Sequence, residues 1–150
     1  MKKSLCILFF GIASLGMNIS HAVQANDILP DNQNAKECRG ILIRKGTMAA
    51  TIQNIKALDN LMLNSGFENE IQDLLNDQRS LCKALWASEL LDILPIEIWL
   101  RDPMRPGKII VAAMILQECP QLMNQEIKEI LTQMLPTACP SLKLEIEKAL

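Results

Sequence analysis

Cys119-Pro120 and Cys139-Pro140 repeat one dipeptide across the C-terminal third of the chain, and with Cys38 and Cys82 they are the residues best able to form bonds. A proline at the first helical position loses no hydrogen bond, so each Cys-Pro pair reads as a helix junction with a thiol at the corner. An even set of thiols in an exported chain implies two disulfides. A helix over about 121–134 spans about 20 Å, and residues 135–139 can return only about 14 Å, which disfavours Cys119 with Cys139. Antiparallel helices ending near Leu94 and beginning near Gly107 would bring Cys82 to Cys119, leaving Cys38 for Cys139.

Export is read from the first residues. Met1-Lys2-Lys3, an apolar run from Leu5 to Met17 and small residues at Ala22 and Ala25 have the layout of a secretory signal peptide over 1–25, cleaved after Ala25 or Ala22. The expected compartment is therefore periplasmic or extracellular. Cys6 and His21, the chain's only histidine, leave with that peptide, as do Lys2 and Lys3. Thirteen Lys and Arg then face 17 Asp and Glu, a formal charge of −4. This mildly acidic surface gives no reason to expect nucleic acid or anionic lipid as a partner, and no membrane span is expected after cleavage.

Without histidine there is no Ser-His-Asp triad, no Cys-His pair and no histidine metal site. Gly-rich phosphate loops and calcium loops are also missing from the sequence, and tyrosine is absent. The expectation is a non-enzymatic protein with no catalytic residue, cofactor or metal. Glu70, Asp73 and Asp77 share one helical stripe, which reads as a solvated face because nothing around them suggests a desolvated cleft. Arg101, Arg105 and Lys108 form a local basic cluster in "RDPMRPGK". A loop on a rigid scaffold is a natural place for function, so these residues and Trp99, an aromatic anchor candidate, are the expected partner-binding surface.

Helices must hold these residues. After a flexible lead over 26–34, a single all-α domain over 35–150 of five to seven helices is expected. Cys38, Ile41, Leu42 and Lys45 fit a helical period, and Gly46 then breaks it. Thr47 caps a second helix with Met48, Ile52, Ile55, Leu58 and Met62 inward. Ser65 and Glu68 fit a capping box, with Phe67 on the buried face. A helical pattern continues to Leu94, with a break allowed at Asn76-Asp77, and Pro95 stops it. The run "IIVAAMIL", Ile109–Leu116, reads as a central helix apolar all round. Leu122, Met123, Ile127, Ile130, Leu131 and Met134 face inward on the next, and Leu142, Ile146, Ala149 and Leu150 on the last.

Cys-Arg-Gly-Ile-Leu at Cys38, Trp99-Leu100 seventeen residues after Cys82, a proline-containing loop, an Ala-rich apolar helix and a closing Cys119-Pro120 resemble the pattern of a family of small periplasmic immunity proteins. Those proteins protect bacteria against type VI secretion effectors, notably peptidoglycan amidases. The resemblance covers residues 37 to 120. The family has Tyr, His-Pro and Phe-Pro-Cys where this chain has Trp99, Asp102-Pro103 and Gln117-Glu118-Cys119. It implies an all-helical, disulfide-bonded, dimeric protein that occludes a toxin's active site. The rival expectations are a carrier of small hydrophobic ligands, which would need an internal cavity, and a secreted virulence factor.

Overall fold

The computed structural model describes residues 34–64 and 68–150. The expected signal peptide, most of the expected lead, and Ser65 and Phe67 of the expected capping box lie outside the described residues. Within them the chain is mostly helical, with seven α-helices and one small antiparallel hairpin.

The hairpin corrects the all-α expectation. β1 (Ala35–Cys38) pairs with β2 (Ile41–Arg44), Ala35 opposite Arg44 and Cys38 opposite Ile41. Arg39 and Gly40 make the two-residue turn, both at positive φ (49° and 74°). Such a turn matches the twist of the strands, and glycine adopts it without steric cost. The helical spacing of Cys38, Ile41, Leu42 and Lys45 is outweighed by this turn and by the alternation in which Ile41 and Ile43 point inward while Leu42 and Arg44 face water. Arg39 then ties the hairpin down. Its guanidinium lies 5.2 Å from the Trp86 ring centre and donates to Asp92 at 3.0 Å.

Helix α1 (Thr47–Leu63) follows, with Gly46 rather than Thr47 at its N-cap; the Thr47 hydroxyl instead donates back to the Arg44 carbonyl at 2.9 Å. Helix α2 (Glu68–Ala87) runs unbroken through Asn76-Asp77. It stops at Ala87 rather than Leu94, because the Ser88 hydroxyl takes the Leu85 carbonyl and Glu89 turns left-handed at φ 62°. Short helices α3 (Leu90–Ile93) and α4 (Ile96–Leu100) lead to the 101–105 loop.

Pro106 opens α5 (Pro106–Glu118) at its first position. Every residue from Ile109 to Leu116 is buried, and α5 packs against α1, α2, α4 and α7, so the helical reading of this run holds. Pro120 begins only a 3-10 turn, Pro120–Leu122. Asn124 then caps α6 (Gln125–Met134), its side-chain oxygen accepting from the Ile127 amide at 2.8 Å. Leu122 and Met123 precede this helix, although both still pack on the core. Pro140 opens the last helix, α7 (Pro140–Ala149), which buries Leu142 and Ile146 and leaves Leu150 exposed rather than inward.

Two buried polar seams set the registers. Between α1 and α2, Asn54 donates to Gln78 at 3.1 Å and the fully buried Gln78 reaches Thr51 at 3.5 Å. At the far side the buried Glu145 of α7 accepts from Arg79 at 2.9 Å, from Gln117 at 2.8 Å and from Lys148. Burial pushes the Glu145 carboxyl up, but these hydrogen bonds outweigh it and hold the group below its ordinary range.

Among the described residues the four cysteines, Cys38, Cys82, Cys119 and Cys139, are free thiols. Cys82 and Cys119 are buried neighbours: Arg79, one turn before Cys82, reaches Gln117, and Lys83 reaches Glu118 at 3.4 Å. Burial, with the Glu118 carboxylate and Cys119 nearby, raises the Cys82 thiol to about 12. The expected pairing of Cys38 with Cys139 does not fit the fold. Cys139 sits with Glu68 and Ile71 at the start of α2, whereas Arg39, the neighbour of Cys38, reaches the Trp86 carbonyl near its end. Those positions are about 22 Å apart along the helix, far beyond the roughly 7 Å a disulfide allows between α-carbons.

Candidate binding groove

One face of α1 carries Met48, Thr51, Ile52 and Ile55 in a line, as the spacing of three and four residues along a helix requires. Opposite stand Leu90 of α3, Leu94, and Ile98 and Trp99 of α4, and between the two walls lies a groove of about 270 Å³. Pro95 makes this second wall. It ends the α3 turn, and the Trp99 indole donates to the Leu94 carbonyl at 3.2 Å, folding α4 back beside it. Trp99 is 7 % exposed and forms part of the floor. Ile52 at 46 %, Leu94 at 44 % and Ile98 at 54 % are open to water, so the rim as well as the floor is apolar. Such a contiguous patch carries a solvation cost that a ligand would remove.

Arg105 and Lys108 close one end of the groove. Asp59 sets their position from α1: one carboxylate oxygen accepts from the Arg105 side chain and the other from the Gly107 amide at 2.8 Å. Lys108 lies 3.6 Å from Asp102 in the loop. The start of α5 can approach this closely because residue 107 is glycine. A Cβ there would stand 2.5 Å from the Ile55 carbonyl oxygen and 2.8 Å from the Leu58 Cβ.

Of the four expected binding residues, Trp99, Arg105 and Lys108 therefore meet in one groove. Arg101 does not join them; it pairs with Glu126 on α6. Glu70, Asp73 and Asp77 are exposed on α2, as a solvated face would be. The apolar walls were missing from the sequence reading. In the sequence, Met48 and Ile52 share the inward stripe of a helix with core residues, and Leu94 and Ile98 acquire their place in the groove only through the turn at Pro95. The signal available was an excess of apolar residues around that proline.

The arrangement can hold an apolar group by burial and an acidic one by charge. Among the described residues no cluster of three or more His, Cys, Asp or Glu could hold a metal ion, and no helix is long and apolar enough to cross a membrane. Comparison of the chain with protein-family models, with curated proteins and with solved structures gives no significant match.

Proposed function

We propose that the chain is an exported, non-enzymatic binding protein that uses the groove between α1 and α4 to dock an apolar segment of a protein partner. The observation that carries this reading is the run of water-exposed Ile52, Leu94 and Ile98 above a Trp99 floor, closed by Arg105 and Lys108. An aromatic anchor within an apolar patch with a charged rim is what protein interfaces concentrate their binding energy in. The Cys-x-Gly, Trp99-Leu100 and Cys119-Pro120 pattern adds a class of partner. On that resemblance the protein is an immunity protein, and its partner a peptidoglycan-degrading toxin of the cell envelope whose active site it occludes.

A carrier of small hydrophobic ligands is the second reading. Its support is the same apolar groove, which approaches the volume of a small-molecule site. Its difficulty is that Ile110 and Met114 are fully buried in the centre of the fold, so a ligand would have to lie in the open groove.

Native mass spectrometry of the chain purified from its own host separates the two. A one-to-one protein complex that Ile98→Asp abolishes supports the docking reading. A small-molecule adduct without a protein partner favours the carrier.

We further propose that Cys82 and Cys119 form a disulfide in the oxidising compartment to which the chain is exported, two thiols giving up two protons and two electrons to a thiol-disulfide oxidant. The crosslink would tie α2 to the end of α5 beside the Glu145 network and contribute about 3 to 5 kcal/mol.

A further inference from the structure

The walls of the groove are helices, and that restricts what can lie between them. Along Thr51–Ile55 the α1 backbone is paired within its own helix. The lining side chains are apolar except for Thr51, Arg105 and Lys108, and the buried Thr51 hydroxyl already accepts from Gln78 at 3.5 Å. An extended segment laid here would turn backbone N–H and C=O groups toward walls that offer them few partners. A helix arrives with its backbone already paired and presents side chains alone.

Charge complementarity adds a second requirement. Arg105 and Lys108 are the charged residues of the lining, both cationic and both at one end, while their acidic neighbours Asp59 and Asp102 stand outside it. Arg105 holds Asp59 through Nε, which leaves both terminal NH2 groups to another acceptor. Lys108 lies 3.6 Å from Asp102, too far for a full hydrogen bond. The spacing follows from α1. Asp59, which holds Arg105, is seven residues beyond Ile52, about 10 Å along the axis. A helix lying along α1 advances at the same rate, so an apolar residue beside Ile52 sets the residue seven further on level with Arg105, on the same face. Cations also favour the C-terminal end of a helix, which gives the occupant the direction of α1.

The geometry points to an amphipathic helix of the partner protein as the occupant, apolar at i, i+3 and i+4 and carrying at i+7 an Asp or Glu whose carboxylate Arg105 and Lys108 bind. This rests on the groove being the docking site. It turns an unnamed partner into a sequence pattern that any candidate either carries or lacks.

The test titrates the chain, expressed from Met1 and purified from its own host, with alanine-based helical peptides of about 15 residues. One carries Leu at i, i+3 and i+4 and Glu at i+7. The others replace that Glu with Gln, move it to i−3, or break the helix with a central Pro. The expected result is that the i+7 Glu peptide binds about tenfold tighter than the Gln and i−3 peptides, the scale of one charge-assisted hydrogen bond. Lys108→Gln should narrow that difference, Ile98→Asp should abolish binding, and the Pro peptide should not bind. Equal binding of the Glu and Gln peptides, still sensitive to Ile98→Asp, overturns the carboxylate contact. Tighter binding of the i−3 peptide overturns the direction, and undiminished binding of the Pro peptide overturns the helix. Each of these leaves the groove as a docking site. Dodecanoate that binds, sensitive to Ile98→Asp, where no peptide does assigns the groove to a small anionic amphiphile and overturns the protein partner as well. No binding by any probe, or binding indifferent to Ile98→Asp, overturns both the helix and the groove.

Discussion

Gly107→Ala tests whether the close approach of α5 to α1 positions the groove. The added methyl would lie 2.5 Å from the Ile55 carbonyl oxygen, 2.7 Å from the Asp59 amide nitrogen and 2.8 Å from the Leu58 Cβ. Two of these are backbone atoms of a helix and cannot rotate away. To restore ordinary contact, α5 must withdraw by about 0.9 Å, which also lengthens the 2.8 Å bond from the Gly107 amide to Asp59. Overpacking of this kind costs about 1–3 kcal/mol. Alanine returns about 0.5–1 kcal/mol as a better helix former. The net loss is about 1–2 kcal/mol, or a Tm lower by about 4–8 °C for a domain of this size. Calorimetry or circular dichroism would measure it, with Lys108→Ala, one residue on, as the control expected to move Tm by no more than about 3 °C. A Gly107→Ala Tm equal to or above that of the unaltered chain would refute the close-approach argument.

Glu145 predicts an acid-sensitive fold. Its carboxyl is held below its ordinary value of 4.5, so its contribution is complete above that pH and is lost as pH falls through the lower folded value. Glu145→Gln should cost about 1–2 kcal/mol at neutral pH, discounted because Arg79 and Lys148 are partly in water, and urea titrations should show a shallower decline in acid than the unaltered chain. Thiol labelling should be ordered: under reducing conditions exposed Cys139 reacts with iodoacetamide at neutral pH, while Cys82, raised to about 12, is blocked until the chain unfolds. In material purified from its own host without reductant, Cys82 and Cys119 should resist labelling even after unfolding unless a reductant is added, and the chain should be lighter by two hydrogens; reactive thiols in that material would reject the proposed crosslink. Arg39→Ala removes the Trp86 stack and the Asp92 bond, and should raise amide exchange in 35–44 while leaving α5 protected.

What the sequence made legible followed from local rules that tertiary contact did not override. Pro106 and Pro140 stand at first helical positions, and Ile109–Leu116 is apolar on every side because helices cover it on every side. The hairpin was hidden because Arg-Gly is a weak turn signal beside Asn-Gly, and because Cys38, Ile41, Leu42 and Lys45 fall at helical spacing although Ile41 and Leu42 lie on opposite faces of β2. The end of α2 was hidden for another reason: Ser88-Glu89 carries neither proline nor glycine, and the left-handed Glu89 and the Ser88 bond to Leu85 that end the helix are braced from a distance by Arg39, which reaches Trp86, Glu89 and Asp92.

The same distinction explains the candidate site. Its basic end could be read because Arg105 and Lys108 stand together in a proline-rich loop, while its walls come from α1 and α4, far apart in sequence and apolar enough to pass for core. Asp59 joins the two parts. As an acidic residue on a helix it gave no signal, yet its carboxylate receives both the Arg105 side chain and the Gly107 amide, fixing the cationic end against the apolar wall. The cationic end of a groove built this way depends on the spacing between α1 and α5, which sets Arg105 and Lys108 against the α1 wall. Gly107 controls that spacing without touching a ligand, so its substitution should weaken docking even though every groove side chain is retained.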